Sequence, residues 1–432
     1  MSNKSKKRVR NQVPSTVEAG LLPRLRQMLL PMIAGISATK ADLTSWVYEK
    51  GLEALDELLR GDAEELAGKK GEHREDRTHY RWGKTDGELS LGGRRVTVER
   101  PRVRTVSGEE VHLPHFEAFR QEDPIPERVV NQILVGVSTR GYESSLEKPL
   151  AELRSRGTSK SAASRHLVAV TRKKLEVYLS RGLEKVELLA LMVDGLEVAG
   201  HTVVVSLGIT ADGTKVPLGL RLGSTENTAL CTSLLQDLLD RGLRIDGRVL
   251  CVVDGGKGIL RALRDVLGDL AVVQRCQVHK LRNLRSHLPK NRHAYVLRMM
   301  KDAYKSEKVD DARKQLRRLI AWLERNGYDD AAGSLREGLE ETLTVIKLGL
   351  PASLRRSLVT TNAVENLVGS IRRVSRNVKR WKSPEMIRRW AALGVVTAEK
   401  RFRRIKGYRT MSALRLALER DQILVDTESN VA

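Results

Sequence analysis

The sequence has few of the features that mark secreted or membrane proteins. Three cysteines in 432 residues give no disulfide framework and fit a reducing compartment. No apolar run approaches the roughly 20 residues needed to cross a bilayer. The N-terminus is basic and polar where a signal peptide would be apolar. We therefore expect a cytoplasmic protein without a membrane partner.

Aromatic residues are also scarce. They make up 4% of the chain, whereas hydrophobic residues as a whole make up 41%, so the core must be built mainly from Leu, Val, Ala and Ile. We find no internal repeats. A chain of this length predicts two or three domains.

Positive charge is abundant. Lys and Arg number 77 against 54 Asp and Glu, which gives a formal net charge of +23. This excess favours a polyanionic partner, because neutralising phosphates releases counterions. Charge by itself leaves ribosome association, a membrane surface and simple solubility open. We expect nucleic acid to be the partner.

The N-terminal part of the chain is expected to bind DNA. We expect a basic disordered tail over residues 1–12 and a mostly helical DNA-binding region over residues 13–181. Turn signals at Asp86-Gly87 and Gly92-Gly93 predict a small β-hairpin element near residues 77–111. The basic residues at its tip either contact DNA or form a solvated edge.

A helix-turn-helix is a second prediction for this region. Helical patterns over Tyr142–Leu153 and Ser161–Leu179 flank the Gly-containing segment Ser155–Ser159. The second helix would expose Arg165 and Arg172. Helix pairs of this kind also occur in proteins that bind no DNA.

Strand patterns begin after residue 186. Leu188–Val193 is almost wholly apolar, as in a strand buried on both faces. The predicted order β-β-β-α-β-α-β is that of an α/β fold of the ribonuclease H-like type, with helices on a mixed sheet.

Three carboxylates stand out in this region. Asp194 and Asp254 each follow an apolar strand, and each precedes a glycine. Either Asp-Gly pair alone is a common turn. In this strand order, however, the two strands are neighbours, and carboxylates held close together normally need a cation. Oxygen ligands suit Mg²⁺ or Mn²⁺.

Glu365 is the third carboxylate. It follows Asn362 by three residues, which is the capping-box spacing, so it could simply cap its helix. The apolar stripe of that helix would pack on the sheet and turn Glu365 toward the cleft. Arg372 and Arg373 lie two turns further on, where they could grip a phosphate backbone.

The combination resembles the Asp-Asp-Glu transposases of the bacterial Mutator-like insertion-sequence family. The resemblance lies in Met192–Gly195, Val253–Gly255, Thr361–Glu365 and the block Gln274–Asn283. It implies that Asp194, Asp254 and Glu365 are the catalytic residues and hold two Mg²⁺ or Mn²⁺ ions. The implied activity is cleavage and strand transfer of double-stranded DNA, in which the partners are transposon ends with terminal inverted repeats and target DNA. A homodimer or higher assembly on DNA is expected to carry it out.

The resemblance also implies a domain plan. The catalytic core would comprise residues 182–274 and 356–409, and residues 275–355 would form an all-helical insertion. The 110 residues between Asp254 and Glu365 far exceed a βα crossover, which agrees with an insertion. Residues 410–432 are expected to be a C-terminal tail.

The pair Cys276 and His279 raises the question of zinc. Structural zinc takes four ligands, and these two residues supply half of them. We expect a structural motif that fastens the insertion to the core, with zinc as the alternative. Trp322, beside Leu319 and Ile320, is expected in the core, with base stacking as the alternative.

Ten basic residues are expected to contact DNA. They are Arg94, Arg95, Arg165, Arg172, Lys280, Arg282, Arg372, Arg373, Lys379 and Arg380.

Other activities fit less well. Gly255–Gly258 is not a P-loop, because Cys251 stands where glycine is needed and no Ser or Thr follows Lys257. Two alternatives remain: a ribonuclease H-like nuclease that does not join strands, and a non-catalytic DNA-binding protein derived from a transposase.

Overall fold

The computed structural model describes residues 40–72, 77–91, 94–121, 155–157 and 160–431. The chain forms two compact units. One comprises residues 1–126 and 143–158, and the other comprises residues 127–142 and 159–432. Within the described residues, no helix is long and apolar enough to cross a membrane.

The smaller unit is built around a long β-hairpin. Helix α1 (Lys40–Ala67) is followed by β1 (His79–Leu91), β2 (Arg94–Thr105), β3 (Glu110–Val111) and α2 (Pro114–Gln121). Strands β1 and β2 pair antiparallel along their length, from His79–Thr105 to Leu91–Arg94. Their inner faces pack on the two helices. The core comprises Leu55, Leu59, Ala63, Ala67, Leu89, Val103, Leu113 and Phe116.

The hairpin near residues 77–111 is thus confirmed, but one of its predicted turns is wrong. Asp86 and Gly87 lie inside β1, opposite Glu99 and Val98. The continuous ladder of β2 holds them extended, and tertiary pairing of this kind overrides a local turn preference. Gly92 and Gly93 lie outside the described residues.

The predicted helix-turn-helix is also wrong at its turn. Residues 155–157 form a short strand, β4 (Ser155–Gly157), that pairs antiparallel with β2 at Arg94–Val96. The backbone groups of residues 155–157 therefore form hydrogen bonds with β2, whereas in a turn they would bond to water. The expected first helix, Tyr142–Leu153, lies outside the described residues. The second is α3 (Lys160–Leu179).

A five-stranded mixed sheet organises the larger unit. Its elements are β5 (Leu188–Val198), β6 (His201–Thr210), β7 (Lys215–Gly223), α4 (Thr228–Asp240), β8 (Val249–Val253), α5 (Lys257–Leu267) and β9 (Ala271–Arg275). The predicted element order is confirmed. The strands lie in the order β7-β6-β5-β8-β9, with the first two pairings antiparallel and the last two parallel.

Both faces of this sheet are covered, which explains the apolar run in β5. Ala190 and Met192 point into one core, and Leu191 and Val193 point into the other. Alternate side chains of a strand face opposite sides, so a strand buried on both faces must be apolar throughout. Helices α4 and α5 cover the second core.

The first core is covered by helices from distant parts of the chain. These are α3, then α11 (Ala352–Leu358), α12 (Asn362–Ser375), α13 (Pro384–Glu399) and α14 (Met411–Val431). The last of them differs from the expected tail over residues 410–432. Met411, Leu414 and Leu418 are buried, because their spacing of three and four residues gives the helix an apolar face.

The segment between β9 and α11 is helical and has its own core. It comprises α6 (Gln277–Ser286), α7 (His293–Lys305), α8 (Val309–Arg325), α9 (Asp329–Arg336) and α10 (Thr344–Lys347). Leu284, Met300, Leu316 and Leu335 are among its buried residues. Trp322 packs against this core beside Tyr295, at 4.5 Å between ring centroids. We call residues 277–347 the helical insertion.

Candidate active site

Asp194 lies where two pairings of β5 diverge. The parallel ladder with β8 runs from Ala190–Leu250 to Met192–Val252 and stops, whereas the antiparallel ladder with β6 continues past Asp194 to Val198. Asp194-Gly195 is therefore not a turn, which removes the simplest structural explanation for this aspartate. Extended by two residues, the parallel register would set Asp194 opposite Asp254.

Asp254 immediately follows β8 and starts the loop to α5. Its Oδ1 accepts a hydrogen bond from the Gly256 nitrogen at 2.9 Å, and Gly255 adopts a left-handed φ of 97°. In this case the Asp-Gly pair does make a turn, as its sequence suggested. The side chain is half-buried.

The charges of the other two predicted carboxylates act on Asp194. Burial raises the pKa of Asp194 to about 6; the charge of His279 opposes this rise, and the charges of Glu365 and Asp254 add to it. The charges of Glu365 and Asp254 thus reach Asp194, which indicates that the three carboxylates face a common region at this end of the sheet.

Glu365 is held by the first turn of α12. The hydroxyl of Thr361 donates to its Oε1 at 2.9 Å. His279 Nε2 and Arg282 Nη1 lie 3.8 and 3.9 Å from the same oxygen. The capping-box alternative is wrong, because the helix begins at Asn362 and Glu365 bonds to the Thr361 side chain instead of to the capping backbone.

Cys276 joins the Asp254 strand to the Glu365 helix. Its backbone nitrogen donates to the Val253 carbonyl at 2.7 Å, and its Sγ accepts a hydrogen bond from the Thr361 nitrogen at 3.4 Å and lies 3.4 Å from the Thr361 hydroxyl. Burial acts to raise the pKa of Cys276, but hydrogen bonds from His279 and Thr361 lower it overall. The hydrogen bond to Cys276 raises the pKa of His279.

This arrangement changes the zinc question. Ligand atoms of Cys276, His279 and Glu365 all lie within 4.8 Å of one another, so three potential metal ligands meet where the sequence showed two. Among the residues that the structure describes, no fourth His, Cys, Asp or Glu completes this group. Arg282 Nη1 lies 3.2 Å from His279 Nε2, and a cation there competes with a metal.

The helical insertion is fastened to the site by the block that follows β9. Arg275, which is buried, forms ion pairs with Glu337 and Glu341. Its side chain also packs under the Asp254 loop, since a Cβ on Gly255 would lie 2.8 Å from its Cδ. The Gln274 and Gln277 amides both donate to the Thr342 carbonyl at 3.0 Å.

Lys280 belongs to this fastening and not to a DNA-binding surface. It is 4% exposed, and its Nζ donates to the carbonyls of Ser334 and Glu337 at 2.8 and 2.7 Å. The expected DNA contact at Lys280 is therefore wrong: the helix that carries Lys280 turns it toward α9, where it satisfies carbonyls at the C-terminal end of that helix.

The other basic candidates are distributed over both units. In the larger unit Arg165, Arg172, Arg282, Arg372, Arg373, Lys379 and Arg380 are exposed. In the smaller unit Arg95 is half-buried, and the Arg94 side chain lies outside the described residues. Arg282 is the candidate whose guanidinium reaches the carboxylates.

Sequence reasoning missed a fourth carboxylate, Glu226. It immediately precedes Asn227, the N-cap of α4, whose side chain accepts from the Leu230 nitrogen at 2.9 Å. Glu226 is exposed as a residue, but partial burial of its carboxylate raises its pKa to about 7, and the charges of Asp254 and Asp194 add to the rise. The sequence signal was an acidic residue next to a good N-cap, and its nearness to the other carboxylates emerges only in the fold.

Comparison with known proteins gives the site a context. Residues 37–404 match the family "Transposase, Mutator family". The chain is 28% identical over 310 residues to the transposase for insertion sequence element IS256 in transposon Tn4001 of Staphylococcus aureus, which covers 69% of this chain and 76% of the relative. It is 27% identical over 303 residues to the transposase for IS905 of Lactococcus lactis, covering 68% and 73%.

A third relative matches over a longer stretch. The transposase for insertion sequence element ISRM5 of Rhizobium meliloti is 28% identical over 357 residues, covering 80% of this chain and 86% of the relative. The family match extends through the five-stranded sheet, the helical insertion and α12. The chain therefore belongs to the Mutator family of transposases.

Proposed function

We propose that this protein is an Asp-Asp-Glu transposase with a ribonuclease H-like core, which cuts and joins DNA strands at the ends of its own insertion sequence. One observation carries the proposal. In a member of this family, Asp194 and Asp254 come from neighbouring parallel strands, and Glu365 approaches them from α12.

The donor set fits divalent cations. All three side chains offer hard oxygen ligands, and Asp194 is half-buried beside other carboxylates, an arrangement that a cation stabilises. Asp194, Asp254 and Glu365 would hold two Mg²⁺ or Mn²⁺ ions. When bound, such ions activate an attacking hydroxyl and stabilise the departing 3′ oxygen.

The protein's own groups position these carboxylates. The Gly195 and Gly256 nitrogens donate to Asp194 and Asp254 at 3.0 and 2.9 Å, which fixes one oxygen of each and leaves the other free. Thr361 does the same for Glu365. Arg282, beside Glu365 and 57% exposed, is placed to bind a phosphate of the strand in the cleft.

The wider basic surface supports DNA as the partner. Arg372, Arg373, Lys379 and Arg380 are exposed on or just beyond α12, the helix that carries Glu365. We expect them to contact phosphates, whereas recognition of terminal inverted repeats falls to residues 13–181. Assembly on DNA as a homodimer or larger is part of this proposal.

Strand transfer from pre-cut ends tests the proposal. The full-length protein should join a DNA duplex that carries its insertion-sequence end, with a free 3′-OH, to plasmid DNA in Mg²⁺. EDTA should abolish the reaction. Cleavage without joining would favour the nuclease alternative, and end binding with neither reaction would favour the non-catalytic one.

A further inference from the structure

Glu226 lies over the first catalytic aspartate. A Cβ added to Gly195, the residue after Asp194, would collide with Oε2 of Glu226. Glycine at this position therefore leaves the space that the Glu226 carboxylate occupies. Gly195 lies within a strand and not in a turn, so its backbone conformation does not require glycine. The close approach of the Glu226 carboxylate does, because a larger residue would collide with it.

The same carboxylate faces Asp254. A Cβ at Gly256 would lie 3.4 Å from Asp254 Oδ1 and 3.9 Å from Glu226 Oε1, so both carboxylates border one small space. The backbone fixes this arrangement. A Cβ on Gly258, at the start of α5, would lie 3.0 Å from the backbone carbonyl carbon of Asn227, so the loop that carries Glu226 is pressed against the segment after Asp254.

The cationic side chains of the site lie beside Glu365, and the charge of one of them, His279, also acts on Asp194. Glu365 has His279 and Arg282 within 3.9 Å. Within the described part of the chain, neither Asp254 nor Glu226 forms an ion pair with a Lys, Arg or His side chain. Carboxylates held together without a cationic side chain repel each other unless a cation lies between them.

We infer that Glu226 is a fourth carboxylate of the active site, which supplies an oxygen ligand to a divalent cation held between Asp194 and Asp254. The inference rests on the proposed function, since it assigns a further ligand to the same site. A role at the N-terminus of α4 is the competing explanation, because a negative charge there stabilises a helix.

Mn²⁺ binding to the full-length protein tests the inference without DNA chemistry. Calorimetric titration with Mn²⁺ alone should show binding at least about tenfold weaker in Glu226→Gln than in the unaltered protein. The matched control is Glu197→Gln, which makes the same change at an exposed position further along β5 and should leave Mn²⁺ binding unchanged.

Thermal unfolding without metal separates the two explanations. As a metal ligand, Glu226 repels its neighbours in the metal-free protein, so Glu226→Gln should raise the melting temperature and reduce the further rise caused by Mn²⁺. A helix-stabilising role predicts a lower melting temperature with an unchanged response to Mn²⁺, and that result would overturn the inference.

Gly195→Ala provides an independent route to the same carboxylate. The added methyl should displace Glu226 and weaken Mn²⁺ binding by a similar factor, and the double variant Gly195→Ala/Glu226→Gln should bind no more weakly than either single variant. Additive losses would contradict a shared cause.

Asp194→Asn distinguishes a failure of the proposed site from a failure of the inference about Glu226. If Asp194→Asn leaves Mn²⁺ binding intact, the proposed site itself fails. If Asp194→Asn abolishes Mn²⁺ binding and Glu226→Gln does not affect it, only the inference about Glu226 fails.

Discussion

The two sides of the proposed active-site cleft are stabilised in different ways. On the side of α12, Glu365 accepts a hydrogen bond from Thr361 and lies near His279 and Arg282. On the side of β8, Asp254 and Glu226 share a space bordered by glycine, with no cationic side chain paired to them among the described residues. The proposed cation would supply, on the side of β8, the positive charge that His279 and Arg282 supply on the side of α12.

Neutralising one carboxylate on each side should reduce activity equally but change stability in opposite directions. Asp254→Asn and Glu365→Gln should each slow strand cleavage about 10⁴-fold, with binding to end DNA largely retained. Without metal, Asp254→Asn should raise the melting temperature by about 2–4 °C, because repulsion is removed. Glu365→Gln should lower it slightly, because attraction to His279 and Arg282 is lost. Kinetic assays and calorimetry check both effects, and a rise in both variants would show that the two sides do not differ.

Thr361 should matter more for rate than its distance from the reacting atoms suggests. The side chain is fully buried, and its hydroxyl donates to Glu365 and lies 3.4 Å from Cys276 Sγ. Thr361→Val keeps the shape and removes the hydroxyl, so cleavage should slow about tenfold, as the loss of one hydrogen bond of about 1.4 kcal/mol would give. Thr361→Ser should restore the rate. Equal rates in all three proteins would show that Glu365 needs no such support.

Lys280 and Arg282, two residues apart on α6, should behave differently. Arg282→Ala should weaken DNA binding and reduce the slope of log affinity against log salt by about 1. Lys280→Ala removes hydrogen bonds to two carbonyls, so it should lower the melting temperature without changing that slope. Binding measured by fluorescence anisotropy at several salt concentrations separates them. If Lys280→Ala also reduced the slope of log affinity against log salt, Lys280 would have to be counted among the DNA-contacting residues.

The smallest effect is expected for zinc. We predict purified protein with far less than one zinc per chain, since Arg282 lies against His279 and three ligands do not close a tetrahedral site. His279→Ala should nonetheless destabilise the helical insertion and lower activity. Elemental analysis after dialysis checks the metal content. Stoichiometric zinc that Cys276→Ser releases would make these residues metal ligands.

The sequence predicted the parts of this fold that depend on local pattern. Apolar runs such as Leu188–Val193 identify strands buried on both faces. The two Asp-Gly pairs that come directly after such runs pointed to Asp194 and Asp254 as candidate carboxylates. The strand order then placed Asp194 beside Asp254 without further information. The family resemblance contributed Glu365 as a member of the same site.

The parts that could not be predicted depend on contacts between distant segments. Strand β4 exists because β2 offers it an edge, and Lys280 is buried because α9 returns past α6. In the sequence, Glu226 is an ordinary acidic residue before a helix cap. Only the packing of α5 against the start of α4 places its carboxylate near Asp254. No local pattern encodes such partners, because each is set by the packing of the whole unit.

The hydrogen bond between Gln277 and Thr342 has a consequence for the entropy of the chain. It closes the helical insertion at its base across 65 residues, and the insertion has a core of its own. If the insertion folds before the site assembles, the free chain between Asp254 and Glu365 shrinks from 110 residues to two segments of 22 residues each. Loop-closure theory assigns that shortening about 0.8 kcal/mol. The distance along the sequence thus costs the active site little, and the insertion could grow within its own core without making the third carboxylate harder to place.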